Sequence, residues 1–180
     1  FMAACAVATK LTGIANVAIT SLSSAATTFS GQNLGAQKYT RLKQGGLRIP
    51  LTSGLITACA GITFTVFCRP ILGLFTDDTA VLDLAVTYIR VVLPFTWMYA
   101  VFNGIICFVN GMGEIKYTTV VNILMLWAVR IPTGYLIAYF ISGTYCMACI
   151  PISFAFGMTC MLAYFFTKKW QNICRLATSS

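Results

Sequence analysis

Long apolar runs, broken by short polar or charged stretches, set the pattern of this chain. A helix needs roughly 20 mostly apolar residues to cross the hydrocarbon core of a bilayer. Five stretches meet that length and predict spans over about Met2–Phe29, Ile49–Cys68, Val91–Val109, Thr118–Phe140 and 146–166. The first is rich in Ala, Ser and Thr, and its segment from Thr20 to Thr28 is too polar to face lipid on every side. Small residues of that kind let helix backbones approach closely inside a membrane bundle. Between the spans lie a predicted loop at Gly31–Ala36, an acidic loop with Asp77, Asp78 and Asp83, and turns at Asn110–Lys116 and Ser142–Tyr145. Residues 168–180 form a tail. The fold class is therefore all-α, a polytopic membrane helix bundle.

Composition and charge sharpen this picture. Only 9% of residues are charged while 58% are hydrophobic, against roughly 25% charged in an ordinary soluble domain. That is too little to solvate a globular surface, so soluble enzymes, secreted disulfide scaffolds and disordered tails are excluded. The 12 Lys+Arg against 4 Asp+Glu give a net charge of +8. Nucleic-acid binding needs the basic residues on one solvated face, but here they punctuate the apolar runs, where they report topology. Lys38, Arg41, Lys43, Arg48, Lys116, Lys168, Lys169 and Arg175 all fall on one side, which is cytoplasmic by the positive-inside rule. The first span then runs inward and the C-terminus is cytoplasmic, in the plasma (inner) membrane. Lys10 sits in the outer third of its span, where it can snorkel. The chain opens on Phe1 with no signal-peptide pattern, and the expectation is that Phe1 is a cut edge of something longer.

Candidate chemistry is sparse. The chain has no His, and no acid lies in mid-span, so the acid, base or metal sets of a membrane hydrolase are lacking. No catalytic residue, metal site or cofactor is expected. The eight cysteines nearly all fall in apolar segments, where Cys packs as a small hydrophobe. Cys146 and Cys149 have CxxC spacing but no second pair. Arg130 is the ionisable residue placed at depth, and a charge there costs several kcal/mol unless it faces a cavity or a partner. Two roles stand open for it: a clamp on backbone carbonyls freed by Pro132, or a group on a transport pathway. Asn103 and Asn122 serve either as helix glue or as cavity lining, as does Asn16 in the first span. Tyr99 and Trp97 offer aromatic faces. Pro94 and Pro132 break helices in the way transporters do at sites of movement or binding.

The run Gly31-Gln32-Asn33-Leu34-Gly35-Ala36-Gln37-Lys38-Tyr39, with Arg41 and Gly45, resembles the cytoplasmic loop of multidrug and toxic-compound extrusion (MATE) transporters. The resemblance continues in Leu74–Asp78, Tyr88-Ile89-Arg90, Pro94-Phe95, Asn110-Gly111-Met112-Gly113 and Arg130-Ile131-Pro132. It implies a twelve-helix protein of two six-helix lobes that exports drugs or organic cations in exchange for protons or sodium. On that basis this chain corresponds to the last five helices, its partner the N-terminal lobe, with Gly31, Gln32 and Gly35 making a structural turn. The substrate-cavity candidates are Tyr99, Asn103, Asn122 and Arg130. Some branches carry a coupling acid in the third of these spans; Val91–Val109 has none, so the chain resembles the branch whose coupling carboxylate lies in the N-terminal lobe. Alternatives are a lipid-linked sugar flippase of a related two-lobe class and a non-transporting membrane fragment.

Overall fold

The structure is a computed structural model, and it describes residues 2–73, 79–140 and 148–167. The predicted turn at Ser142–Tyr145, the resembling segment Leu74–Asp78 and the tail basics Lys168, Lys169 and Arg175 lie outside the described residues. Among the described residues the elements are helical throughout. They are α1 (Met2–Gly35), α2 (Tyr39–Val66), α3 (Cys68–Gly73), α4 (Thr79–Val92), a 3-10 turn (Leu93–Phe95), α5 (Thr96–Gly111), α6 (Ile115–Ile123), a π-helical segment (Leu124–Arg130), α7 (Ile131–Phe140) and α8 (Cys149–Phe166). Four stretches are long and apolar enough to cross a membrane: Tyr39–Val66, Val81–Gly111, Ile115–Phe140 and Cys149–Phe166. The protein is an all-α polytopic membrane bundle. The helix α1 has 34 residues, about 50 Å at roughly 1.5 Å per residue.

The packing is inverted relative to a water-soluble bundle. The buried face of α2 consists of Leu42, Gly45, Gly46, Pro50, Ser53, Gly54, Thr57 and Gly61. Its large apolar residues Leu47, Leu51, Leu55, Ile56, Ile62 and Val66 point outward. Small residues face protein because backbones can then approach, and the branched ones face the surrounding hydrocarbon. The approach is close: a Cβ on Gly61 would lie 3.0 Å from the Leu93 carbonyl oxygen, and one on Gly54 2.6 Å from Val101 Cγ2. The central core gathers Leu42, Val101, Phe102, Ile105, Phe108, Val109, Met125, Met161 and Tyr164, so α5 is the hub. A second cluster, Cys68, Leu72, Ala85, Val86, Ile89 and Leu93, holds α3 on α4, and Arg69 donates to Asp83 at 3.1 Å over its exposed edge.

Three boundaries differ from the sequence reading. Gly31, Gln32 and Gly35 lie in the last turns of α1, not in a loop. The reversal falls at Ala36–Lys38, and its left-handed residue is Gln37, with φ 56°. The helix end is a Schellman motif: the Lys38 amide donates to the Asn33 carbonyl (2.9 Å) and the Gln37 amide to the Leu34 carbonyl (3.0 Å). The next reversal on this side repeats it with glycine in place: Gly113 has φ 90°, its amide donates to the Asn110 carbonyl (2.9 Å), and the Glu114 amide donates to the Val109 carbonyl (3.4 Å). The second span begins at Tyr39, ten residues ahead of Ile49, because Arg41, Lys43 and Arg48 are good helix formers that extend the helix past the hydrocarbon. The third is continuous from Thr79, since Pro94 sits early in the 3-10 turn and tightens the helix without ending it.

The two Schellman turns give opposite expectations. Gln37→Gly should stabilise the protein by up to about 1 kcal/mol, because a side chain in the left-handed region costs about that much. Gly113→Ala should destabilise it by a similar amount. Thermal unfolding of the purified protein in detergent reads both, and equal midpoints for the two variants would contradict this assignment.

Candidate functional site

Polar side chains inside a lipid-facing bundle need a reason to be there, and here they converge. A cavity of about 360 Å³ opens between α1, α4, α5, the α6–π segment and α8. From α1 it takes Thr9, Thr12 and Asn16, spaced so that they share one helix face. Tyr88 and Val92 of α4 continue into Thr96 and Tyr99 of α5, which shows that the 3-10 turn at Leu93–Phe95 keeps one face aligned through the join. Asn122, Met125, Leu126 and Arg130 form the opposite wall, and Ile150 and Phe154 of α8 close it. The first half of α1 and the start of α8 lie at the end of the bundle away from Lys38, Arg41 and Lys43. The cavity therefore sits toward the side opposite the basic residues.

Of the four sequence candidates, Tyr99, Asn122 and Arg130 come together here. Asn103 does not. It lies one helical turn below Tyr99, where the cavity has already closed: the Thr27 hydroxyl of α1 donates to the Cys107 carbonyl of α5 at 3.1 Å. The Asn103 side-chain oxygen accepts from the Cys107 thiol of the same helix at 3.4 Å. Thr9, Thr12, Tyr88 and Thr96 were not among the candidates. Asn16, noted as polar within its span, marked the right face, and stepping back four and seven residues along it finds Thr12 and Thr9. Stepping back from Tyr99 in the same way finds Thr96 and Tyr88.

The local chemistry follows from the helices that carry it. The segment Leu124–Arg130 is π-helical, a form that appears mostly as single wide turns and often at functional sites. Its cause lies in Pro132, which lacks the N–H that an α-helix would direct at the Ala128 carbonyl. The Thr133 hydroxyl turns back to the carbonyl of Val129, and to that of Arg130 at 3.3 Å. The threonine thus serves the two carbonyls that follow Ala128. Tyr99 lies against Phe154, their ring centroids 4.8 Å apart and their planes tilted by 33°, giving the cavity an aromatic wall. Pro94 acts through the 3-10 turn, outside the cavity lining. No group of metal-ligating side chains occurs among the described residues.

A bundle with apolar faces outward and a polar, aromatic-walled cavity between its helices defines the class: an integral membrane protein with an internal polar cavity. Comparison with known sequences gives the family. The MatE family model matches residues 1–136, and the chain belongs to that family. It is 27% identical over 165 residues to the probable multidrug resistance protein YoeA of Bacillus subtilis, which covers 87% of this chain and 34% of that protein. It is 24% identical over 116 residues to the probable multidrug resistance protein NorM of Listeria innocua, covering 64% of the chain and 25% of that protein. With the NorM of Halalkalibacterium halodurans the identity is 29% over 105 residues, 58% of the chain and 22% of that protein. The chain thus spans about a third or less of the length of the curated relatives it matches.

Proposed function

We propose that this chain forms the C-terminal-type lobe of a secondary multidrug efflux antiporter, working against an N-terminal lobe in the plasma membrane with its own C-terminus cytoplasmic. The cavity holds the exported compound, and rocking of the two lobes exposes it to each side in turn. Protons or sodium drive the exchange through a carboxylate of the partner lobe. Membership of the MatE family and the names of the relatives support this reading. The observation that carries it is the convergence of Tyr99, Asn122 and Arg130, which are far apart in sequence, on one cavity.

Filling the cavity tests it. Asn122→Trp should lower efflux of a fluorescent substrate from drug-sensitive cells at least tenfold, at an unchanged level of protein in the membrane. Asn103→Ala, which lies outside the cavity, should leave the spectrum of exported compounds as it is. Undiminished efflux by Asn122→Trp would remove the cavity from the transport path.

A further inference from the structure

The groove between α1 and α2 joins an apolar recess to a cluster of cations at the basic end of the bundle. The recess holds about 280 Å³ between Leu22, Ala25 and Phe29 of α1 and Ile49, Thr52 and Ser53 of α2. Phe29 is its cause. A Cβ on Gly45 would overlap the Phe29 ring, so the missing side chain lets that ring lie between the two helices. One turn deeper, the side chains of Ala25, Thr52 and Ser53 are too short to fill the gap the ring leaves. Ala25 and Thr52 are exposed, so the recess opens outward, beside Leu51 and Leu55, which face the surrounding hydrocarbon. A second apolar recess, about 150 Å³, follows on the same two helices at Ile14, Ala18, Ile56 and Ala60.

The charge stands at the mouth of this groove. Arg41, Gly45, Arg48 and Thr52 have the spacing of one face of α2, and the contact of Gly45 with Phe29 turns that face toward α1. The Arg48 carbonyl accepts the Thr52 hydroxyl at 2.9 Å, which ties the cation to the lining of the recess. Helical side chains lean toward the helix N-terminus, here the basic end, so Arg48 and Arg41 lead from the recess to the membrane surface. Lys38 and Lys43 add to the charge there, and no acid falls among the four. We propose that this groove binds one anionic phospholipid from the leaflet at the basic end. Arg48 and Arg41 hold its phosphate, whose oxygens match the paired donors of a guanidinium. One acyl chain lies in the recess, where it supplies dispersion contacts that the lining otherwise lacks. A free phosphate has no use for the recess, and an apolar helix has none for the arginines.

Native mass spectrometry of the purified protein, released from detergent with equal amounts of palmitoyl-oleoyl phosphatidylglycerol and phosphatidylcholine, counts the lipid each molecule keeps. One phosphatidylglycerol should be retained, at least fivefold in preference to phosphatidylcholine. Glycerophosphoglycerol, the same headgroup without chains, should not be retained. Arg48→Gln should lower phosphatidylglycerol retention at least fivefold. Lys43→Gln removes an equal charge at the same end but off the face of Arg41 and Arg48, and should stay within twofold of wild type. Ala25→Phe fills the recess and should lose both lipids; if that variant does not fold, the contrast between Arg48→Gln and Lys43→Gln decides. Equal retention of the two lipids by the wild type overturns the inference. An equal loss in Arg48→Gln and Lys43→Gln does so too, since it marks diffuse attraction to a basic surface. Undiminished retention by folded Ala25→Phe places the acyl chain outside the recess, and no retention by the wild type means that a protein segment covers the groove; either result overturns the inference.

Discussion

Gly111→Val is expected to remove folded protein from the membrane. At this position α5 crosses α1 at backbone contact. A Cβ on Gly111 would fall on the Ser30 hydroxyl and the Thr27 carbonyl oxygen, and would lie 3.0 Å from Thr27 Cα. Ser30 can rotate, but the Thr27 backbone cannot, because its carbonyl accepts the Ser30 hydroxyl at 3.0 Å within a regular helix. The helices must separate, and the bond from the Thr27 hydroxyl to the Cys107 carbonyl, 3.1 Å long, is then lost as well. Overpacking of this kind costs about 3 kcal/mol, roughly a hundredfold in the folded population. Size-exclusion profiles and membrane levels of the variant read the loss. Gly35→Ala is the control, since a Cβ there meets nothing within 4 Å. If Gly111→Val accumulates like Gly35→Ala, the crossing is not where α1 and α5 are held.

That crossing also explains why the glycine-rich motif was visible in the sequence while its role was not. Gly, Gln and Asn are turn formers by local preference, so Gly31–Ala36 reads as a loop. In the fold Gly31 is helical and faces Gly111, whose carbonyl oxygen would lie at ordinary contact, 3.4 Å, from a Cβ at Gly31. The need for a small residue between the two backbones falls on Gly111, and no local signal distinguishes that need from one for positive φ. The left-handed position fell instead to Gln37, a residue with no mark of it. The motif at Asn110–Gly113 combines three such needs: the Asn110 side chain accepts from the Thr118 hydroxyl, Gly111 makes the crossing, and Gly113 makes the turn.

Four of the five predicted spans were legible, because lipid demands long apolar runs whatever the tertiary contacts. Their ends were not, since a basic helix leaving the bilayer has the composition of a loop, as at Lys38–Arg48. The site was legible by residue type and illegible by depth. An amide in an apolar run is conspicuous, but Asn103 and Asn122 look alike until α1 closes over one of them. The polar face of α1 escaped notice because threonine is unremarkable in a membrane helix, and only the shared helical spacing of Thr9, Thr12 and Asn16 binds them into one surface.

Pro132→Ala should make the protein more stable and transport worse. Proline in a helix interior is about 3 kcal/mol less favourable than alanine, and Pro132 follows closely on the π-helical segment that ends at Arg130. Alanine restores a donor for the Ala128 carbonyl, so Leu124–Arg130 can tighten from i→i+5 to i→i+4 bonding. Tightening removes the extra residue from the wide turn and rotates everything on one side of it against the other. Asn122 precedes the segment and Arg130 ends it, and both line the cavity, so the rotation takes one of them off the cavity face. The melting temperature in detergent should therefore rise while efflux falls at least tenfold. A fall in both would mean that Pro132 supports packing alone. The double variant Arg130→Gln/Pro132→Ala decides how the loss arises. Residues that act through one another are non-additive, so a double variant no worse than Arg130→Gln alone places Pro132 upstream of Arg130. Fully additive losses would mean that the π-helical turn serves transport by some route other than aiming Arg130.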